Sequence, residues 1–196
     1  MIAHAEAQSA ALPRPFRVVR RRRETHDTWT LELEPVAGTP LASEPGQFTM
    51  LYAFGIGEVP VSVSGDDDGR LVHTVRAVGA VTEAICASRP GASIGVRGPF
   101  GNAWPIAEAA GRDVVVVAGG IGLAPLRGAV RHVLAHRSNY GRVSLLYGSR
   151  TPADLLYRRE LGDAEGIAVD VTVDAASTGW RGKVGVVPKL VAGVPI

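Results

Sequence analysis

The chain has little of what metal sites, disulfides and nucleic-acid binding require. Its 196 residues include one cysteine, Cys86, which alone completes neither a disulfide nor a four-thiolate zinc or iron–sulfur site. Aromatic residues make up 6% of the chain and the formal net charge is +2, whereas nucleic-acid readers concentrate basic and aromatic side chains on one face. We therefore expect no metal on this chain and no nucleic-acid partner.

Long apolar runs are also missing. No segment reaches the roughly 18 consecutive apolar residues that a membrane-spanning helix needs. Residues 1–11 lack a basic stretch followed by an apolar one, so no secretory signal is predicted and the expected location is the cytoplasm. We expect residues 1–13 to form a disordered tail.

The chain is rich in apolar side chains and in glycine. Hydrophobic residues make up 46% and charged residues 20%, a balance that excludes a disordered chain and favours a packed core. The 24 glycines and 13 prolines predict many tight turns and close backbone approaches, as in barrels and nucleotide-binding loops.

Residues 14–100 show short segments with the two-residue period of β-strands. Apolar and polar residues alternate strictly over 29–34, which places Leu31 and Leu33 on a buried face and Thr30 on the opposite one. The pattern predicts a small antiparallel β-barrel of about six strands with one helix. Its other elements are strands at 16–22, 47–54, 59–64, 71–78 and 93–97 and a helix at 82–88.

The hydrophobic period changes after residue 111. Residues 114–118 are continuously apolar and β-branched, which is typical of a strand buried on both faces of a parallel sheet. We expect residues 112–196 to form an α/β Rossmann-like domain with a parallel sheet, C-terminally incomplete and joined to the barrel near 100–111. Its further elements are a helix after Gly122, a strand at 143–147, a helix opening at Thr151 with Asp154 as its capping partner, and a strand at 167–173.

The strongest local signal is the sequence Gly119-Gly120-Ile121-Gly122 between a predicted strand and a predicted helix. Such a turn directs backbone N–H groups and the positive end of the helix dipole to one spot, which suits a pyrophosphate. The pattern is not G-x-G-x-x-G, and no acidic residue follows at the usual ribose distance, so packing is the alternative explanation for the glycines. Pro125 in the first helical turn favours nucleotide binding.

Two barrel segments also carry signals. Pro60 cannot donate a backbone hydrogen bond, so we expect it at an edge or a bulge, where main-chain groups are left for a ligand. An edge strand protected against aggregation is the alternative. Further on, Arg76 ends a strand, Gly79 makes a turn and Thr82 is a candidate helix cap, which together form a second place suited to phosphate.

Taken in order, these motifs resemble the ferredoxin reductase-like flavoprotein family. The chain is most similar to the gamma subunits of cytoplasmic NiFe hydrogenases (sulfhydrogenases) and next to the electron-transfer subunit of dihydroorotate dehydrogenase, from about residue 14 onward. The motifs are Pro45-Gly46-Gln47-Phe48, Val59-Pro60-Val61-Ser62, Val75-Arg76-Ala77-Val78-Gly79 followed by Thr82, Gly98-Pro99-Phe100-Gly101, Gly119 to Leu126, Tyr147-Gly148-Ser149-Arg150 and Asp154-Leu155-Leu156-Tyr157.

The resemblance implies FAD in the barrel and NAD or NADP in the α/β domain. Because Val59 and Val61 stand where the family has arginine and tyrosine, FMN is the alternative to FAD. The implied flavin contacts are Pro60, Val61, Ser62, Val75, Arg76, Val78, Gly79 and Thr82. The implied nucleotide contacts are Gly119, Gly120, Gly122, Leu123, Ala124 and Pro125, with Gly148, Ser149 and Arg150 on the ribose side.

The implied function is that of a flavin-dependent oxidoreductase module. It would pass electrons between NAD(P)H and a redox partner subunit that carries iron–sulfur clusters. The cofactors would supply the chemistry, so no side chain is assigned as a catalytic acid or base. The alternative is a flavin- or nucleotide-binding accessory subunit without nicotinamide turnover.

Overall fold

A computed structural model describes residues 12–193 and divides the chain into two compact units. The first unit extends to Arg23 and continues over Asp27–Trp104. The second contains Glu24–His26 and the chain from Pro105 onward. The tail predicted at 1–13 falls, except for its last two residues, outside the described part of the chain.

Within residues 12–193, the first unit contains a closed antiparallel barrel of six strands. Their order around the barrel is β1-β2-β5-β4-β3-β6, and helix α1 lies between β5 and β6 in the chain. The predicted barrel is therefore confirmed. Its elements are β1 (Arg14–Arg23), β2 (Thr28–Pro35), β3 (Phe48–Ala53), β4 (Gly57–Asp67), β5 (Arg70–Arg76), α1 (Ala80–Ala87) and β6 (Ser93–Phe100).

Alternation along β2 fills the barrel interior, with one departure. Leu31 and Leu33 are fully buried, as the pattern predicts. Thr30, expected on the polar face, is buried as well. Its hydroxyl is satisfied by a hydrogen bond of 2.9 Å with the hydroxyl of Thr74, which lies opposite it on β5. A buried hydroxyl with a partner costs far less free energy than an unpaired one, so this position accepts threonine.

Strand β4 changes partners along its length. Residues 57–62 pair with β3, whereas pairing with β5 begins at Val63, so among the described strands 57–62 have a neighbour on one side. We call residues 57–62 the open segment. Pro60 lies in it opposite Met50, in agreement with the edge position that its missing N–H predicts.

In the described part of the second unit, four parallel strands form one sheet in the order β10-β9-β8-β7. The predicted parallel α/β layer is confirmed, although β10 and the last helix were not foreseen. No described helix has both the length and the apolar character needed to cross a membrane. The elements are β7 (Val114–Gly119), α2 (Leu123–Ala135), β8 (Val143–Ser149), α3 (Arg158–Gly162), β9 (Ala168–Val173), β10 (Lys183–Val184) and α4 (Pro188–Val191).

The helix predicted to open at Thr151 is a single 3₁₀ turn, Pro152–Asp154. The capping pattern itself is present, since Asp154 Oδ2 accepts hydrogen bonds from the Thr151 N–H at 3.1 Å and from its hydroxyl at 2.7 Å. The helix does not continue because the next residue, Leu155, is extended and its side chain is buried in the core. Helix α3 begins separately at Arg158.

The expectation that β7 is buried on both faces is wrong. Strand β7 is the edge of the described sheet, and Val115 and Val117 are each 43% exposed. Val116 and Ala118, on the opposite face, pack in the core with Leu123 of α2. A run of valines fits either a strand covered on both faces or an edge strand covered on one, and what packs against it decides between them.

This asymmetry predicts opposite sensitivities for neighbouring valines. Val117→Thr should change the free energy of unfolding by less than about 0.5 kcal/mol, because the side chain is largely in water. Val116→Thr should cost about 1–2 kcal/mol, because it puts a hydroxyl against the core. Urea denaturation of both variants checks this, and equal losses would contradict the observed orientation of β7.

Candidate functional site

Strand β7 leads directly into the glycine turn, residues 119–122. Gly119 ends the strand, Gly120–Gly122 form one 3₁₀ turn and α2 begins at Leu123. A Cβ placed on Gly119, Gly120 or Gly122 would meet no described atom within 4 Å, so the surrounding protein does not exclude side chains there. The turn thus leaves open space beside its backbone, which fits the close approach of a phosphate.

The residues after the turn offer main chain rather than side chains. Leu123 and Ala124 are 2% and 3% exposed, and Leu123 belongs to the core between α2 and the sheet. Pro125 is the third residue of α2 and has no N–H. Any contact of the first two residues with a nucleotide would therefore be made by the backbone at the positive end of the helix.

The three residues predicted on the ribose side differ in what they can contribute. A Cβ on Gly148 would lie 2.8 Å from the Cβ of Val187, so close packing explains that glycine. Ser149 is buried and its hydroxyl donates to the Thr151 carbonyl at 2.8 Å. The Arg150 side chain is 64% exposed. Of these three residues, Arg150 is the one whose side chain is available to a ligand.

Tyr147, which no sequence pattern assigned to the site, lies behind the glycine turn. It is fully buried, and its hydroxyl donates to the Gly120 carbonyl at 3.2 Å and accepts the Leu156 N–H at 3.2 Å. Burial raises the pKa of Tyr147 above its ordinary value, so the hydroxyl keeps its proton. In the sequence, a tyrosine inside an apolar strand resembles any core aromatic residue.

Arg127 was not assigned a role from the sequence either, although an arginine on the apolar side of a predicted helix indicates a buried charge. It lies four residues after Leu123, on the apolar side of α2, and is 7% exposed. Its Nε and Nη2 donate to Glu160 of α3 at 2.7 and 2.9 Å, and its guanidinium lies 5.0 Å from the centre of the Tyr157 ring. The bidentate ion pair compensates the buried charge and joins the two helices, so we assign Arg127 a structural role.

On the barrel, Arg76 is held by an aspartate that the sequence did not reveal as its partner. Arg76 Nε donates to Asp27 Oδ2 at 2.6 Å, and the Thr28 hydroxyl donates to Asp27 Oδ1 at 2.9 Å. The Arg76 side chain is 33% exposed, and among the described residues its terminal amino groups have no partner. Asp27 therefore orients the guanidinium and leaves its outer edge for an anion.

The start of α1 has a capping arrangement centred on Thr82. The Thr82 hydroxyl accepts the N–H groups of Val78 and Gly79 at 2.9 and 3.1 Å and donates to the Gly79 carbonyl at 2.9 Å. Thr82 thus shapes the turn, and its hydroxyl is occupied. A Cβ on Gly79 would meet no atom of the described chain within 4 Å, so space is open beside this turn as well.

The remaining residues assigned to the flavin divide by exposure. Val75 is 2% exposed and belongs to the barrel core, which leaves its main chain for contacts, whereas the Val78 side chain is 74% exposed. In the open segment, Pro60 is exposed and Ser62 is partly buried. Val61 packs against the barrel core.

His73 holds the open segment from inside the barrel. It is fully buried, with Nδ1 at 3.0 Å from the Ser62 carbonyl and Nε2 at 3.1 Å from the Thr49 hydroxyl. A carbonyl only accepts, so Nδ1 carries the proton and Nε2 accepts from Thr49. Burial lowers the pKa of His73 to about 4, and the ring is therefore neutral at physiological pH.

In the described residues we find neither a metal site nor a reactive cysteine. No group of three or more histidine, cysteine, aspartate or glutamate side chains there could hold a metal ion. The Cys86 thiol is buried and donates to the Val75 carbonyl at 3.4 Å, and burial raises its pKa to about 11. It is therefore protonated at neutral pH and unreactive.

Comparisons with known proteins agree with this geometry. Residues 116–193 match the family model described as the oxidoreductase NAD-binding domain. The chain is 34% identical over 150 residues to sulfhydrogenase 1 subunit gamma of Pyrococcus furiosus, an alignment that covers 71% of this chain and 51% of that protein. It is 38% identical over 172 residues to a probable dihydroorotate dehydrogenase B (NAD(+)) electron transfer subunit of Methanopyrus kandleri, covering 87% and 62%.

A solved structure matches across both units. The ferredoxin reductase in carbazole 1,9a-dioxygenase superposes with a TM-score of 0.79 at 23% identity, and the match covers 92% of this chain and 56% of that one. The six-stranded barrel and the parallel sheet are thus the two parts of a fold that this reductase shares. The chain therefore has the fold of that reductase, its residues 116–193 match the oxidoreductase NAD-binding domain, and its sequence is similar to the two electron-transfer and hydrogenase subunits named above. It spans 51% and 62% of the lengths of the two relatives named above.

The buried imidazole predicts a pH dependence of stability. Because the pKa of His73 is about 4 in the folded protein and 6.5 ordinarily, the unfolded chain binds the proton first, and stability falls as pH drops below 6.5. Between pH 7.5 and 5 the wild type should lose about 2 kcal/mol more than His73→Met. Urea denaturation at both pH values checks this, with His136→Met at an exposed histidine as the control. If the wild type loses no more stability than His73→Met between these pH values, the assignment of His73 as a buried neutral imidazole is wrong.

Proposed function

We propose that the chain is a flavin-dependent oxidoreductase module that passes electrons between NAD(P)H and a redox partner subunit carrying iron–sulfur clusters, in the cytoplasm. The main observation in support of this proposal is the glycine turn. It joins β7 to α2 within residues 116–193, which match an oxidoreductase NAD-binding domain, and its three glycines have no packing reason among the described residues. Relatives named as a sulfhydrogenase gamma subunit and as an electron transfer subunit support the same class of function.

The barrel would hold the flavin, FAD or FMN. The open segment, with Pro60, Val61 and Ser62, offers the ring a strand that has a described neighbour on one side only. The outer edge of the Arg76 guanidinium and the amides at the start of α1 would attract the phosphate. Main-chain groups of Val75 and the exposed Val78 border that place. A bound flavin supplies the conversion between hydride transfer and single-electron transfer.

The second unit would hold NAD or NADP. Amides of the glycine turn and the positive end of α2 suit the pyrophosphate, because both favour negative charge and the open space admits it. Leu123 and Ala124 would contribute main chain, and the exposed Arg150 would reach the ribose side. These groups bind and orient, so the chain needs no acid or base of its own.

Flavin reduction by NADH tests the function directly. The wild-type chain, loaded with FAD or FMN and mixed with NADH under anaerobic conditions, should lose its flavin absorbance in a saturable reaction. Gly119→Ala should retain flavin but need about ten- to hundredfold more NADH. The backbone at Gly119 is extended, with φ −125, so alanine fits there without strain. The added methyl group would keep the phosphate away from the amides and reduce the binding free energy by roughly 1.5–3 kcal/mol.

The outcomes separate the two candidate functions. Flavin that stays bound but is not bleached by NADH would indicate the accessory subunit without nicotinamide turnover. A chain that retains neither FAD nor FMN after gel filtration would refute the flavin half of the proposal. Equal NADH dependence in the wild type and Gly119→Ala would remove the glycine turn from the nucleotide site.

The position of Arg76 predicts that its side chain strengthens flavin binding. Arg76→Ala should weaken it by about 1.5–3 kcal/mol, the range for a hydrogen bond to a charged group. Arg70→Ala is the matched control, since Arg70 begins the same strand, is 43% exposed and forms a long 3.7 Å ion pair with Glu32. Fluorescence titration of the apoprotein with FAD measures both variants. Similar affinities in the two would argue against a phosphate contact at Arg76.

A further inference from the structure

We propose that the Tyr147 hydroxyl is the positioning group of the glycine turn, setting the direction of a main-chain donor that the nucleotide pyrophosphate uses. The inference rests on the proposed nucleotide binding and adds a residue that works from behind the site. Tyr147 is fully buried in β8, so it acts on a ligand only through the backbone that it holds.

The hydroxyl is fixed on both of its sides. Its oxygen accepts the Leu156 N–H at 3.2 Å, and its proton goes to the Gly120 carbonyl at 3.2 Å. Leu156 is 2% exposed and packs in the same core as Leu155 and Tyr157, which gives the hydroxyl a rigid support. The Gly120 carbonyl also accepts the Leu123 N–H, so two donors define its direction.

The direction of the Gly120 carbonyl also fixes the direction of the Ile121 N–H, because both belong to one planar peptide group. In a trans peptide the C=O and the following N–H point in opposite directions. Because the Gly120 carbonyl points inward to Tyr147, the Ile121 N–H points the other way. Ile121 is 37% exposed, and a Cβ on Gly120 meets no described atom within 4 Å, so this amide lies at an open surface.

Glycine makes such a restraint necessary. Gly120 has φ +51, a conformation that glycine reaches easily but also leaves easily, because it has no Cβ to restrict its dihedral angles. A turn of three glycines would therefore lose conformational entropy on binding unless it is held beforehand. The bond from Tyr147 supplies this preorganisation without placing a side chain in front of the phosphate.

Tyr140 provides a matched control in the same unit. It is 7% exposed, and its hydroxyl donates to the Ile106 carbonyl at 3.4 Å, with no described contact to the glycine turn. Tyr147→Phe and Tyr140→Phe each remove one oxygen and keep the ring in the core. Both remove a hydroxyl-to-carbonyl bond, whereas only Tyr147→Phe releases Gly120.

The experiment is calorimetric titration of the full 196-residue chain with ADP-ribose, which carries the pyrophosphate but not the nicotinamide. Tyr147→Phe should raise the dissociation constant about three- to tenfold, and Tyr140→Phe should leave it within about twofold. If Tyr147→Phe binds as well as the wild type, or if both variants weaken binding equally, the positioning role is wrong. A wild type that binds no ADP-ribose would instead overturn the nucleotide half of the proposed function, and this inference with it.

A second measurement needs no ligand. In ¹H–¹⁵N spectra of the free protein, the Ile121 amide signal should move in Tyr147→Phe and stay in place in Tyr140→Phe. An unmoved Ile121 signal in Tyr147→Phe would overturn the proposal even where ADP-ribose affinity is altered. Should Tyr147→Phe not fold, slow hydrogen exchange of the Leu156 amide in the wild type would support the bond, and fast exchange would exclude it.

Discussion

One buried hydroxyl group, that of Tyr147, joins the two loops that follow neighbouring parallel strands, and the candidate nucleotide site depends on it. Parallel pairing sets Gly119 beside Gly148, which brings the ends of β7 and β8 to the same edge of the sheet. A glycine turn has no side chains with which to fix its own backbone, so the restraint comes from behind, from Tyr147 to Gly120. The ion pair between Arg127 and Glu160 serves this arrangement, because it ties α2, which follows the turn, to α3.

The barrel uses a similar device. His73 bonds to the Ser62 carbonyl at the point where β4 changes partners, and Thr49 fixes the other ring nitrogen. In each candidate site, then, a buried polar side chain bonds to a main-chain carbonyl. Such sites depend more on the fold than on the side chains that face the ligand.

Two arginines near the candidate sites, Arg76 and Arg150, can be compared with two paired arginines elsewhere on the surface, Arg97 and Arg142. Arg97 and Arg142 form close pairs with Glu58 and Asp113, so their charges are largely compensated locally. Arg76 uses its Nε for Asp27 and keeps its terminal groups, and Arg150 is 3.9 Å from the nearest carboxylate oxygen. The terminal groups of Arg76 and the exposed Arg150 side chain are therefore the cationic groups proposed to meet the phosphate and the ribose side, although the net charge of the chain is only +2.

The sequence by itself determined the barrel, the parallel layer and the glycine turn, because strand period, turn residues and a change of hydrophobic pattern are local properties. It also placed Pro60 at an edge, since a missing N–H restricts position wherever the strand lies. Tertiary structure alone decided that Val115 and Val117 face outward, that Val187 requires Gly148, and that Asp27 holds Arg76. It likewise decided the hydrogen-bond partners of Tyr147 and His73. These features join residues distant in the chain, and whether a buried polar side chain meets a particular carbonyl follows from strand order and register, which no local pattern contains.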